Sequence, residues 1–133
     1  MRVADLMQLD LVTVAPEATV EEAETMLAVN HLTALPVVDD EGRLLGVLSA
    51  TDLVTAAVEH DEASQLAVLH AGTPVHALMT SRPFTVGPEA EVREAARLML
   101  YAGVHRLYVT RDDRPLGVIS TSDVVRGVAQ GRI

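Results

Sequence analysis

Apolar and polar positions along the chain form one pattern that occurs twice. In the first half, the run Leu11-Val12-Thr13-Val14 precedes Pro16 and predicts a short extended segment. Val20, Ala23, Met26 and Leu27 then recur at helical spacing, so one apolar stripe predicts an amphipathic helix. Thr19 stands before that stripe with Glu22 three residues on, a capping-box pattern in which each side chain satisfies a backbone N–H near the other residue. Asn30 is the expected left-handed stop, a role for which Gly103 is better suited in the second half. Residues 35–38 are apolar and β-branched enough to predict a strand; Asp39-Asp40-Glu41-Gly42 is a polar turn, and 44–48 return as a second strand. A second helix is expected from near Ser49 through Leu53, Ala56, Ala57 and Val58. Each copy thus reads strand–helix–strand–strand–helix.

The repetition is direct. Val3-Ala4-Asp5-Leu6-Met7 returns 72 residues on (3 to 75) as Val75-His76-Ala77-Leu78-Met79. At that shift Thr13-Val14 meets Thr85-Val86, Pro16 meets Pro88, Glu22-Ala23 meets Glu94-Ala95, and Val37 meets Val109. One residue is then lost in the turn, where Asp112-Asp113-Arg114-Pro115 replaces the first copy's residues. Gly46-Val47-Leu48-Ser49 therefore meets Gly117-Val118-Ile119-Ser120, and Asp52 meets Asp123. The second copy's last helix is expected over 123–128. The boundaries expected are one repeat over 1–58, a connector over 59–74 and a second repeat over 75–133. The connector opens charged, is extended or helical over 66–70, and breaks at Gly72-Thr73-Pro74.

Composition narrows the chemistry. Apolar residues make up 49% of the 133 and aromatics 2%, so the core must be aliphatic. That length is enough for one domain, or two half-domains sharing a core. The net charge is -9 and all ten basic residues are Arg, with no cluster able to track phosphates, so nucleic acid is not an expected partner. Without Lys there is no Schiff base and no P-loop lysine. Without Cys there are no disulfides, thiolate nucleophiles or Cys metal sites. The opening residues lack a signal peptide's apolar run, and nothing approaches the roughly 18 apolar residues of a membrane span. A cytoplasmic location without membrane contact is the expectation.

The segments V-x-D-L-M, V-T-V-x-P, L-P-V-V-D-D-x-G and G-V-L-S-x-T-D-L, followed by H-R-L-Y-V and G-V-I-S-T-S-D-V, together resemble a pair of CBS domains. The resemblance covers nearly the whole chain except the connector. It implies an α/β (α+β) fold, two β-α-β-β-α repeats packed about a pseudo-two-fold axis with two clefts between them, known as a Bateman module. It implies a regulatory sensor of an adenosine-containing ligand: AMP, ADP, ATP, S-adenosylmethionine or an NAD-like molecule. It also implies a homodimer. No cofactor is required, and the effector protein is expected on another chain.

Two turns carry the expected binding chemistry, Ser49-Ala50-Thr51-Asp52 and Ser120-Thr121-Ser122-Asp123. Each closes a strand and opens a helix. An ionised Asp only accepts hydrogen bonds, so it can take both hydroxyls of a ribose cis-diol. Neighbouring hydroxyls and free helix N–H groups favour phosphate oxygens. Ser-x-x-Asp is equally a capping pattern, and capping alone also accounts for both copies. By the resemblance, Val12-Thr13 and Leu32-Thr33-Ala34 meet the adenine edge of one site, and Phe84-Thr85 with Val104-His105-Arg106 that of the other. The expected pairing crosses the repeats, Thr33 with Asp123 and Arg106 with Asp52. That leaves one cleft neutral, lined by Ser120, Ser122 and Asp123, while Arg106 supplies the other with a cation for phosphate or else pairs with an acidic neighbour. Tyr108 stands where the first copy has Pro36 and is placed to fill part of its cleft or to stack in it.

His31, His60, His70, His76 and His105 follow no zinc-ligand spacing, so no metal is expected. Met7 and Met79 read as core packing, and Glu21-Glu22-Glu24 as a solvated helix start. No Ser–His–Asp set or paired carboxylates suggest an enzyme. Beside the sensor stands a second reading: a dimerising scaffold without ligand, to be favoured if capping saturates both Asp residues and Tyr108 fills its cleft.

Overall fold

The computed structural model describes residues 1–59 and 72–133, so the expectation for 66–70, with His60 and His70, lies outside the described residues. The chain divides into two compact units, one of Val12–Arg82 and one of Pro83–Ile133 completed by Met1–Leu11. Each unit is α+β.

In the Val12–Arg82 unit, helix α1 (Val20–Val29) precedes strands β1 (Ala34–Val38) and β2 (Leu44–Ser49), and α2 (Ala50–Glu59) follows directly. After a 3-10 turn at Val75–Ala77, β3 (Thr80–Ser81) pairs antiparallel with β2. The extended segment expected at 11–14 is represented by an isolated parallel bridge from Val14 to Val37. In the other unit a 3-10 turn at Val3–Asp5 leads to Gln8, which bridges to Val118. Strand β4 (Thr85–Val86) runs parallel to β5 (Arg106–Arg111), which pairs antiparallel with β6 (Arg114–Ser120). Helix α3 (Val92–Ala102) lies between β4 and β5 in the chain, and α4 (Thr121–Ala129) follows β6.

Local chemistry explains these limits. The capping box at α1 is formed: Glu22 N–H donates to Thr19 Oγ1 at 3.1 Å, and Thr19 N–H to Glu22 Oε2 at 3.3 Å. The left-handed residue after α1 is His31 (φ 54), not Asn30 as the sequence suggests. Asn30 keeps φ -93 and its side-chain amide donates to the Met26 carbonyl at 2.9 Å. Satisfying an end carbonyl this way needs no left-handed turn at Asn30. The matching residue in the second copy is Gly103 (φ 68), which adopts that conformation without a Cβ penalty. The deleted turn residue leaves a two-residue hairpin at Asp112 (φ 51) and Asp113 (φ 64), a conformation Asp tolerates better than most residues. Helix α4 begins at Thr121, two residues before the expected start, because Ser120 itself caps it.

The cores are aliphatic, and each is completed by a segment whose sequence belongs to the other copy. Val75 is fully buried with Val14, Ala23, Leu27, Leu35, Val37 and Leu48. Val3 and Leu6 are buried with Val92, Ala95, Met99, Leu107, Val109 and Ile119. Met79 and Met7 pack against these respective cores, as expected of core methionines. Glycine makes the exchange possible on β2 and β6. A Cβ on Gly46 would lie 2.6 Å from the Thr80 carbonyl oxygen, and one on Gly117 would lie 2.5 Å from that of Gln8. The G-V-[LI]-S motif thus seats the incoming backbone. Among the described residues no helix is long and apolar enough to cross a membrane.

Candidate functional site

Each Ser-x-x-Asp turn is built where a strand runs directly into a helix. Ala34 pairs with Ser49 across β1 and β2, which brings the Thr33 carbonyl to the first free N–H of α2. Ala50 N–H donates to that carbonyl at 2.8 Å. The second copy repeats the arrangement: Arg106 pairs with Ser120, and Thr121 N–H donates to the His105 carbonyl at 2.9 Å. The sheet register therefore ties each turn to the strand of its own repeat, Thr33 to the Asp52 turn and His105 to the Asp123 turn. The pairing of Thr33 with Asp123 and Arg106 with Asp52 concerns facing sides of the two repeats and stays an expectation beside these in-register hydrogen bonds, in which the orphan N–H groups at a helix start take the nearest carbonyl.

In the Val12–Arg82 unit, Thr13, Thr33 and Thr51 are exposed, while Val12, Leu32, Ser49 and Asp52 are half-buried and Ala34 is buried. Asp52 Oδ2 accepts from Ser49 N–H at 2.8 Å, and Asp52 N–H donates to Ser49 Oγ at 3.1 Å. Asp52 Oδ1 accepts from the Thr80 hydroxyl at 3.0 Å.

The matching site in the other unit is more closed. Phe84, Thr85, His105 and Ser122 are exposed, Val104, Arg106 and Ser120 are half-buried, and Asp123 is only 3% exposed. Asp123 Oδ2 accepts from Ser120 N–H at 2.8 Å and Ser120 Oγ at 2.9 Å. Its Oδ1 accepts from Gln8 Nε2 at 3.1 Å and Arg126 Nη2 at 2.8 Å. Tyr108 is 5% exposed, and burial pushes its phenol above the ordinary range despite the nearby Arg106 cation. Val104, His105 and Thr121 also line an apolar groove of ≈ 340 Å³ between α3 and α4, with Met99, Val124 and Val125.

Gln8 and Thr80 were not singled out from the sequence. They occupy equivalent places one residue beyond the V-x-D-L-M and V-H-A-L-M runs, and each donates to the Asp of the unit it joins. The only sequence signal was their constant offset from the repeated Met. The partner across the repeat boundary appears only when the chain is folded.

Burial by itself would raise the Asp123 carboxyl, but hydrogen bonds from Ser120, Gln8 and Arg126 outweigh it and hold the group below its ordinary value. A carboxyl depressed in the folded state lends stability that is complete above its unfolded value of about 3.9. That stability is lost as pH falls through the folded value. Acid titration of the melting temperature is therefore expected to show a decline below about pH 4 that is smaller in Asp123→Asn.

A CBS domain family model matches residues 3–59 and 75–130. The chain is 30% identical over 142 residues to the chloroplastic CBS domain-containing protein CBSX1 of Arabidopsis thaliana, covering 91% of this chain and 60% of CBSX1. It is 26% identical over 131 residues to homoserine O-acetyltransferase of Methanosalsum zhilinae, covering 98% of this chain but 24% of that enzyme. It thus spans less than two thirds of the length of either relative. Among solved structures, Arabidopsis CBSX2 in complex with AMP superposes with a TM-score of 0.84 at 32% identity, over 99% of this chain and 98% of that one. With both of its repeats matched by the family model, this chain belongs to the CBS domain family and carries the domain twice in tandem.

Proposed function

We propose that the chain is a regulatory module that binds an adenosine-containing ligand and passes the change to a partner protein. The observation that carries this reading is the pair of Asp carboxylates, each fixed at a strand-to-helix junction beside a strand-end carbonyl. The AMP complex of the similar CBSX2 supports the ligand class. In the Val12–Arg82 unit, Asp52 takes the ribose, Ser49 and Thr51 face the phosphate side, and Val12, Thr13, Leu32, Thr33 and Ala34 meet the base. That set carries no cation and suits a nucleoside or a short phosphate chain. In the other unit Asp123, Ser120 and Ser122 are the residues at the matching positions, with Thr85, Val104 and His105 on the base side and Arg106 on the phosphate side.

Candidate ligands are AMP, ADP, ATP, S-adenosylmethionine and NAD. The module acts without catalysis, as a homodimer in the cytoplasm, by binding its ligand differently in two conformations that the partner distinguishes. A second reading, a scaffold without ligand, has a specific observation in its favour: Asp123 is saturated by capping and neighbouring donors, and Tyr108 is buried. Asp52 does not share that state.

A thermal-shift series with the five ligands separates the readings. A ligand at 100 times its dissociation constant stabilises by about 2.7 kcal/mol, a readily measured shift. A shift with at least one of them is expected. A folded protein that none of them shifts is the scaffold.

A further inference from the structure

The two Asp carboxylates occupy matching places in the repeat but differ in how much of their accepting capacity is left. An ionised carboxylate offers about four acceptor positions. Asp123 has four hydrogen bonds, from Ser120 N–H, Ser120 Oγ, Gln8 Nε2 and Arg126 Nη2. Among the described residues Asp52 accepts two, from Ser49 N–H and Thr80 Oγ1. The sequence explains the difference. Thr55 stands where the second copy has Arg126, so α2 brings no cation to Asp52 from that position. Thr80 stands where the other segment has Gln8, a shorter side chain with one hydroxyl to donate.

A ribose cis-diol donates two O–H groups and needs two open acceptor positions on one carboxylate. Asp52 has that number. At Asp123 the diol must first displace Gln8 and Arg126, and the Arg126 bond is charge-assisted, roughly twice as strong as a neutral one. Resting on the adenosine reading above, we propose that the two sites are unequal: Asp52 takes the ribose directly, and Gln8 with Arg126 holds Asp123 closed. The chain then binds one nucleoside at the first-repeat site, and Asp123 serves to fasten the Met1–Leu11 segment to its unit.

The test is isothermal titration of the full chain with adenosine, which lacks phosphate and so reports on base and ribose contacts alone. One adenosine per chain is expected. Asp52→Asn keeps the size and capping ability of the side chain but leaves one accepting oxygen, and is expected to weaken binding at least tenfold. Circular-dichroism melts establish that it folds. Gln8→Ala combined with Arg126→Ala reopens two positions on Asp123 and is expected to raise the stoichiometry to two. Two equivalent sites in the unaltered chain overturn the proposal, as does a single site that survives Asp52→Asn. Absence of binding by both adenosine and AMP overturns the ligand reading itself, and the inequality with it.

Discussion

Gly117→Val is expected to lower the melting temperature on the order of 10 °C and to detach Gln8 from Asp123. The added Cβ would meet the Gln8 carbonyl oxygen at 2.5 Å and the Met7 sulfur at 3.2 Å. The sulfur belongs to a flexible side chain and can move. The carbonyl cannot move cheaply, because it accepts from Val118 N–H at 2.9 Å and Gln8 N–H donates back to Val118 at 2.8 Å. Valine therefore forces the opening segment away from β6, and overpacking of this kind costs about 1–3 kcal/mol or more. Gly103→Ala is the control. Its φ is +68 but a Cβ there meets nothing within 4 Å, so only the left-handed strain of about 1–2 kcal/mol applies. His31 at the matching position already bears that strain. Scanning calorimetry of both variants checks the order. Equal losses would mean that the close approach of the Gln8 carbonyl is not what glycine secures at Gly117.

Leu35→Ala is expected to cost about 2–5 kcal/mol, the range for emptying a well-packed core position. Leu35 is 0% exposed and pairs with Leu48, also 0% exposed, in the β1–β2 ladder. The core that holds Leu35 is aliphatic, built with Val14, Ala23, Leu27, Val37, Leu48 and Val75, and its branched side chains refill the vacated space only in part. Urea titration should show a lower midpoint with the slope unchanged. Val54→Ala, at a position 63% exposed, is expected to stay within about 0.5 kcal/mol of the parent. A loss at Val54 as large as that at Leu35 would mean that α2 is covered in solution.

Much of this was legible in the linear chain. The capping box at Thr19 and Glu22, the strand pairs around 34–49 and 106–120, and the helices after them follow from apolar period and short-range hydrogen bonding. These signals are local, and a sequence displays local signals directly. Asn30 differs from its expected role because residue type alone suggests a left-handed stop there, while the chain places that turn at His31 and uses the Asn30 amide on the helix itself. Ser49, Asp52, Ser120 and Asp123 were legible as a repeated pattern, but not how heavily each carboxylate was engaged.

Sequence alone determined the tandem repeat, the aliphatic core, the lack of Lys and Cys chemistry, and the two Ser-x-x-Asp turns. All of these depend on composition or on residues a few positions apart. Tertiary structure alone decided which copy's opening segment completes which core, and therefore which donors reach each carboxylate. Gln8 is 115 residues from Asp123 and Thr80 is 28 from Asp52. Nothing in local spacing links such pairs; they meet because the glycines on β2 and β6 leave room for a backbone from elsewhere in the chain to pair there.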